Sequence, residues 1–185
     1  KKEKTNRTFL TEDELNSLKK KEFAYSRLER VIDIFVFSWY TGLAYSDVEK
    51  LTVAHLVTGI DGQKWIYTFR TKTDTKSNVT LLPKALAIIE KYKGFPVSNN
   101  KNRLLPVITN IKTNEYLKEI ALVCSIKKNL TFHMARHTFA TTIALTNGVL
   151  NETVSNILGH TSLRTTQIYA KEKQKASGVK LLWGT

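Results

Sequence analysis

The chain has 185 residues, of which 42% are apolar and 24% charged, enough for one domain with its own core and too few for two ordinary ones. No apolar run reaches the roughly 18 to 20 residues that cross a bilayer; the longest, around Val31–Phe37, carries Asp33. The single cysteine, Cys124, excludes an internal disulfide and a cysteine-based zinc site, and points to a reducing compartment.

Charge says more. Lys and Arg total 29 against 16 acids, a net +13. Residues 1–50 hold 10 basic and 9 acidic side chains, whereas residues 51–185 hold 19 and 7. A positive surface on one part of a domain suits a polyanion, nucleic acid first, with anionic lipid or plain solubility as the alternatives. Lys1-Lys2-Glu3-Lys4 has no apolar stretch behind it, so it is not a secretory signal. Position 1 is not Met, and the sequence reads as part of a longer protein.

In chain order, residues 1–10 read as a polar linker. Thr11-Glu12-Asp13-Glu14 is a capping box that opens a helix to about Lys21. The segment from Ser26 to Tyr40 is helical and apolar nearly all round, the pattern of a buried helix; Thr41-Gly42 ends it. A short helix starts near Ser46. Val53–Thr58, Lys64–Arg70 and Asn78–Leu82 are β-prone and joined by Gly59-Ile60-Asp61-Gly62 and a polar loop at Thr73–Ser77, which predicts three antiparallel strands. Pro83 opens a helix to about Lys93. Residues 94–108 form a loop, and a further helix runs from Thr113 through Cys124. Lys127-Lys128-Asn129 is a basic turn, followed by helices at Met134–Thr146, Glu152–Leu158 and Ser162–Lys171. The expected fold is mainly α with a small three-stranded antiparallel sheet.

Three constellations can carry chemistry. In His133-Met134-Ala135-Arg136-His137, His133 and Arg136 share a helix face and both can donate to an anion's oxygens. The i, i+4 histidines have a zinc-ligand spacing, but no Glu accompanies them and Arg136 sets a permanent cation between them, which disfavours a metal. A helix start with satisfied polar groups explains the cluster equally well. In Leu158-Gly159-His160-Thr161-Ser162, Gly159 suits a helix end and puts His160 on a tight turn; His160 then either faces a cleft or satisfies the helix end. Tyr169 lies nine residues after His160; taken singly, such a tyrosine is more simply a core or surface residue.

Taken in order, His-x-x-Arg, Leu-Gly-His and Tyr resemble the C-terminal signature of the tyrosine recombinases, the phage integrase family. Phe37-Ser38-Trp39-Tyr40-Thr41-Gly42-Leu43 with Ser46-Asp47-Val48 resembles the turn that carries the family's first arginine, and Lys72 resembles the lysine on its β-hairpin. The likeness runs from about Arg7 to Lys171, and the motif wording is most similar to integrases of conjugative and mobilizable elements. It implies a catalytic domain at residues 11–171, a linker at 1–10 from a DNA-binding region that precedes it, and a tail at 172–185 that docks on a neighbouring subunit or folds back on its own. One position departs from the pattern. Where the first arginine belongs, this chain has Ala44.

The resemblance implies cleavage and rejoining of double-stranded DNA through a 3′-phosphotyrosine, with no metal, ATP or other cofactor. Tyr169 is then the nucleophile. At a pKa near 10 only about one tyrosine in a thousand is ionised at pH 7, so neighbouring cations or a base such as His133 must assist. Arg136, His133 and His160 stabilise the pentacovalent transition state, and Lys72 protonates the leaving 5′ oxygen. Arg70, two residues before Lys72, would point to the same strand face and is the candidate substitute for the arginine missing at Ala44; a surface strand residue touching DNA or Asp74 is the alternative. Lys76, Lys101, Arg103, Lys127, Lys128 and Arg164 are candidate DNA-backbone contacts. The implied partners are DNA, three further copies in a homotetramer on DNA, and an accessory DNA-bending protein; the isolated fragment is a monomer. The implied location is the bacterial cytoplasm at the nucleoid, away from membranes. A type IB topoisomerase and a DNA-binding module that has lost catalysis are the rival readings.

Overall fold

The computed structural model describes residues 9–95, 102–144 and positions 154, 155 and 158. Its organising element is α2 (Ser26–Thr41), which buries nine side chains distributed around its circumference, among them Phe35, Phe37 and Trp39. A helix apolar on all sides must be covered on all sides. Helices α4 (Pro83–Lys91), α5 (Asn110–Val123) and α6 (Phe132–Thr138) pack against α2, as does the wide π-type turn at Phe139–Ala144 that continues α6.

The first helix, α1 (Glu12–Lys20), has the expected capping box: the Thr11 N–H donates to Glu14 Oε2 at 2.7 Å, and the Glu14 N–H donates to Thr11 Oγ1 at 3.3 Å. Residues 9 and 10 are not part of a polar linker. Leu10 is fully buried and its N–H donates to Thr138 Oγ1. Its apolar side chain, ahead of the cap, takes it into the core.

Three antiparallel strands in the order β1 (Leu56–Thr58), β2 (Lys64–Phe69) and β3 (Lys76–Thr80) form the sheet. Leu56 pairs with Ile66, and Phe69 pairs with Lys76. Ile66 and Thr68 are buried, whereas Tyr67 and Phe69 alternate outward, so one face meets the core and the other meets solvent. Val53–His55 is a 3₁₀ turn rather than strand, because the Thr52 N–H donates to His55 Nδ1 and closes the chain on itself. β3 lies two residues earlier than its β-prone letters suggest, since Leu82 is already the N-cap of α4.

Local signals place the remaining elements. Gly42 ends α2 in the left-handed region (φ 69°), with its N–H on Ser38 O. A Cβ there would lie 2.7 Å from the Phe139 ring and 3.2 Å from Leu158, so glycine is required twice over. Ala44 then caps α3 (Tyr45–Lys50). Thr109 caps α5, whose first residue, Asn110, lies three residues before the predicted start. Helix α6 likewise begins early, because Asn114 Oδ1 on α5 accepts the Phe132 N–H at 2.9 Å. In the π-type turn, Thr141 and Thr142 hydroxyls donate back to the His137 and Thr138 carbonyls, an alternative to the regular ladder that accompanies such widened turns. Among the described residues no helix is long and apolar enough to cross a membrane.

Candidate active site

The turn from Gly42 to Asp47 links α2 to α3, and two buried guanidinium groups are held by its two ends. Arg136, on α6, is 6% exposed and donates from Nη1 to Gly42 O at 3.0 Å and from Nη2 to Leu158 O. Leu158 is the first residue of Leu158-Gly159-His160, so Arg136 links Leu158 to the turn after α2. Arg70 follows β2, is 7% exposed and meets Asp47 Oδ2 at 3.3 Å. Asp47 is 1% exposed and its N–H bonds to Ala44 O. The arginine beside the hairpin therefore reaches the helical turn that Ala44 caps.

The two arginines are held differently. Arg136 sits on neutral carbonyls and keeps its full charge. Arg70 faces a carboxylate that offsets it. Both planar forks are fixed before any ligand arrives, the arrangement that favours electrostatic stabilisation of an anion.

Lys72 stands exposed in the turn between β2 and β3. Strand alternation does not carry to it, because β2 ends at Phe69; Arg70 continues the buried face of Ile66 and Thr68, and Lys72 belongs to the turn. The turn is closed by Arg70 N–H to Thr75 O and Asp74 N–H to Arg70 O, with Asp74 in the left-handed region (φ 51°). Arg70 is thus not a surface strand residue, and its carboxylate partner is Asp47 on α3 rather than Asp74.

His133 is exposed at the start of α6, and its ring packs edge-on to buried His137 with centroids 4.3 Å apart. Among the described residues no group of three or more His, Cys, Asp or Glu could hold a metal. Tyr45, next to Ala44, anchors α3: its hydroxyl donates to Ile108 O and its ring packs edge-on against Phe132. Burial, reinforced by Glu49 and opposed by Arg103, pushes its phenol up to about 12.

A sequence model of the phage integrase family matches residues 8–176. The chain belongs to the phage integrase family. It is 31% identical over 183 residues to a tyrosine recombinase of Thermosipho africanus, a match covering 94% of this chain and 61% of that protein. It is 35% identical over 102 residues to tyrosine recombinase XerC of Listeria monocytogenes, covering 54% of this chain and 34% of that one. The chain thus spans less than two thirds of these relatives. In fold it is similar to XerA recombinase, with a TM-score of 0.69 at 22% identity over 94% of this chain and 66% of that one. A lambda integrase (75-356) dimer bound to a COC′ core site is also similar, with a TM-score of 0.72 at 15% identity over 99% and 65%. The architecture is that of tyrosine recombinase catalytic domains.

Of the integrase-family residues singled out from sequence, the structure gathers Arg136 and Arg70 around the 42–47 turn, with Lys72 two residues beyond Arg70. Tyr169, His160, Arg164, Lys101 and the tail at 172–185 lie outside the described residues. Lys76 and Lys127 are exposed, and Arg103 is half-buried. Lys128 is tied into the fold: its ammonium donates to Glu14 Oε2 at 2.7 Å and Phe9 O at 2.9 Å. Burial pulls the Glu14 carboxyl up, but Lys128 and the Thr11 N–H outweigh it and hold it below its usual value. Sequence reasoning passed over Asp47 and Thr71. Asp47 had one readable signal, its place in the helix-turn that lacks an arginine.

Proposed function

We propose that this chain is the catalytic part of a site-specific DNA recombinase, an integrase of a conjugative or mobilizable element. The observation that carries the reading is the pair of guanidinium groups at Gly42 and Asp47, in a chain whose ordered motifs also supply His133, His160, Lys72 and Tyr169. Structures of similar fold include recombinases bound to DNA, the lambda integrase dimer on its core site among them, which supports a DNA partner here.

In this reading the Tyr169 oxygen attacks phosphorus, the bond from phosphorus to the 5′ oxygen breaks, and a 3′-phosphotyrosine forms. Lys72 delivers a proton to the leaving 5′ oxygen, and His133 receives the phenolic proton. Arg136, His133, His160 and Arg70 stabilise the charge on the non-bridging oxygens. Bond energy is kept in the phosphotyrosine, so rejoining reverses the same steps without ATP or metal. Four copies act on two duplexes, with an accessory DNA-bending protein.

Ala44 favours one second reading, a DNA-binding module without catalysis. A nicked suicide DNA substrate separates the two. The intact protein should form a covalent adduct that survives denaturing electrophoresis, and Tyr169→Phe should bind DNA but form none. No adduct from the wild-type protein overturns the recombinase reading, and an adduct from Tyr169→Phe excludes Tyr169 as nucleophile. Joining of two sites, rather than relaxation of one plasmid, distinguishes a recombinase from a type IB topoisomerase.

A further inference from the structure

Asp47 has no step in the chemistry above, yet its carboxylate is completely engaged. Oδ1 accepts the Thr71 N–H and the Thr71 hydroxyl, both at 2.9 Å, while Oδ2 faces Arg70 Nη1. At the other end of α3, Lys50 Nζ donates to Phe69 O at 2.6 Å. Helix α3 therefore grips three consecutive residues, Phe69, Arg70 and Thr71. The next residue is Lys72.

The hairpin does not need this grip in order to form. Its register is set by the β2–β3 ladder, and its turn closes through Arg70 and Thr75 backbone atoms. A buried carboxylate–guanidinium pair is also a poor source of stability, because desolvation offsets most of its attraction. What the grip adds is geometry. A lysine is a flexible side chain, and one placed on a turn is useful as a proton donor only if the turn backbone is held.

We propose that Asp47 and Thr71 are positioning residues: the carboxylate that holds Arg70 also fixes the turn carrying Lys72, so that both cations are set by one buried acid. This rests on the recombinase reading, in which Lys72 protonates the leaving 5′ oxygen. It predicts that loosening the turn produces a defect specific to that proton.

The test uses the intact protein in single-turnover cleavage of two suicide substrates, one with the normal 5′ oxygen and one with a 5′-bridging sulfur, a leaving group that needs little protonation. Thr71→Val removes the hydroxyl but keeps the N–H and the shape; Thr71→Ser keeps both donors. Thr71→Val should cleave the oxygen substrate ~10-fold more slowly, about the effect of one lost positioning bond, with DNA binding unchanged and most of the rate restored on the sulfur substrate. Thr71→Ser should match wild type on both. An equal Thr71→Val defect on the two substrates, or none, overturns the clasp. Lys72→Ala is the control: if sulfur fails to rescue it, the role of Lys72 fails and the clasp fails with it. Asp47→Asn should be impaired on both substrates, because it also releases Arg70; full rescue by sulfur would show that Asp47 does not act through Arg70.

Discussion

The α6 side of the site and the α3–hairpin side solve one problem in opposite ways. On the α6 side, Arg136 is held by two backbone carbonyls, those of Gly42 and Leu158. On the hairpin side, Arg70 is held by the carboxylate of Asp47. Carbonyls orient a guanidinium and leave its charge available to an incoming phosphate. A carboxylate offsets that charge, and Asp47 meets Arg70 at 3.3 Å. In the recombinase reading proposed above, Arg136 is therefore the stronger electrostatic stabiliser and Arg70 the weaker one.

Substitution at Arg136 should therefore have the largest effect. Arg136→Lys keeps a positive charge but cannot span both carbonyls with a planar fork, and covalent adduct formation should fall by roughly 10³-fold, the upper end for loss of a transition-state donor. A loss below that of Arg70→Ala would reverse the ranking. Arg70→Ala should slow cleavage by about 10²-fold and leave DNA binding within a few-fold. Adding Ala44→Arg to that variant should recover part of the rate, since the new side chain starts from the same turn. Near-normal cleavage by Arg70→Ala would leave Arg136 as the lone arginine on the phosphate.

The third effect is on stability. Gly42→Ala forces a side chain into a left-handed turn and against Phe139, and should cost about 2–4 kcal/mol by denaturant titration. An equivalent change at Gly62, which is also left-handed but where an added Cβ would meet nothing within 4 Å, should cost less. That contrast isolates the packing at the Arg136 carbonyl from backbone strain alone.

The smallest effect lies at high pH, on the α3 side. Tyr45 has its phenol raised to about 12, above the ordinary value near 10. A group raised on folding stabilises the fold below its unfolded pKa, and that contribution disappears as pH climbs from about 10 through 12. Thermal unfolding should lose ground over that window, and Tyr45→Phe should flatten the loss. Tyr92, also raised by burial and by its bond to Asp33, should retain part of the slope. A Tyr45→Phe profile parallel to wild type would mean that Tyr45 titrates normally.

Much of this was legible in the letters. The Thr11 capping box, the all-round apolar helix, the Gly42 stop and Pro83 each acted through local rules, and each places an element where the structure has it. Helix α6 was misplaced at its start because its first N–H is satisfied by Asn114, eighteen residues away, which no local rule can see. Arg70 shows the same limit. Strand alternation put it beside Lys72, but the strand stops at Phe69, and a carboxylate on a different element decides where the guanidinium goes. Lys128 read as a surface cation because its partners, Glu14 and the Phe9 carbonyl, lie more than a hundred residues earlier.

Leu10 gives the domain a boundary that composition did not suggest. Its side chain is fully enclosed, and its amide is tied to Thr138, two residues beyond Arg136. A protease cutting just before Thr11 would leave the capping box intact and still remove a core residue from against the arginine-bearing helix. The smallest piece that folds as this domain does must therefore begin ahead of the first helix signal, at or before Phe9. Limited digestion should leave that peptide bond protected for as long as α6 stays folded.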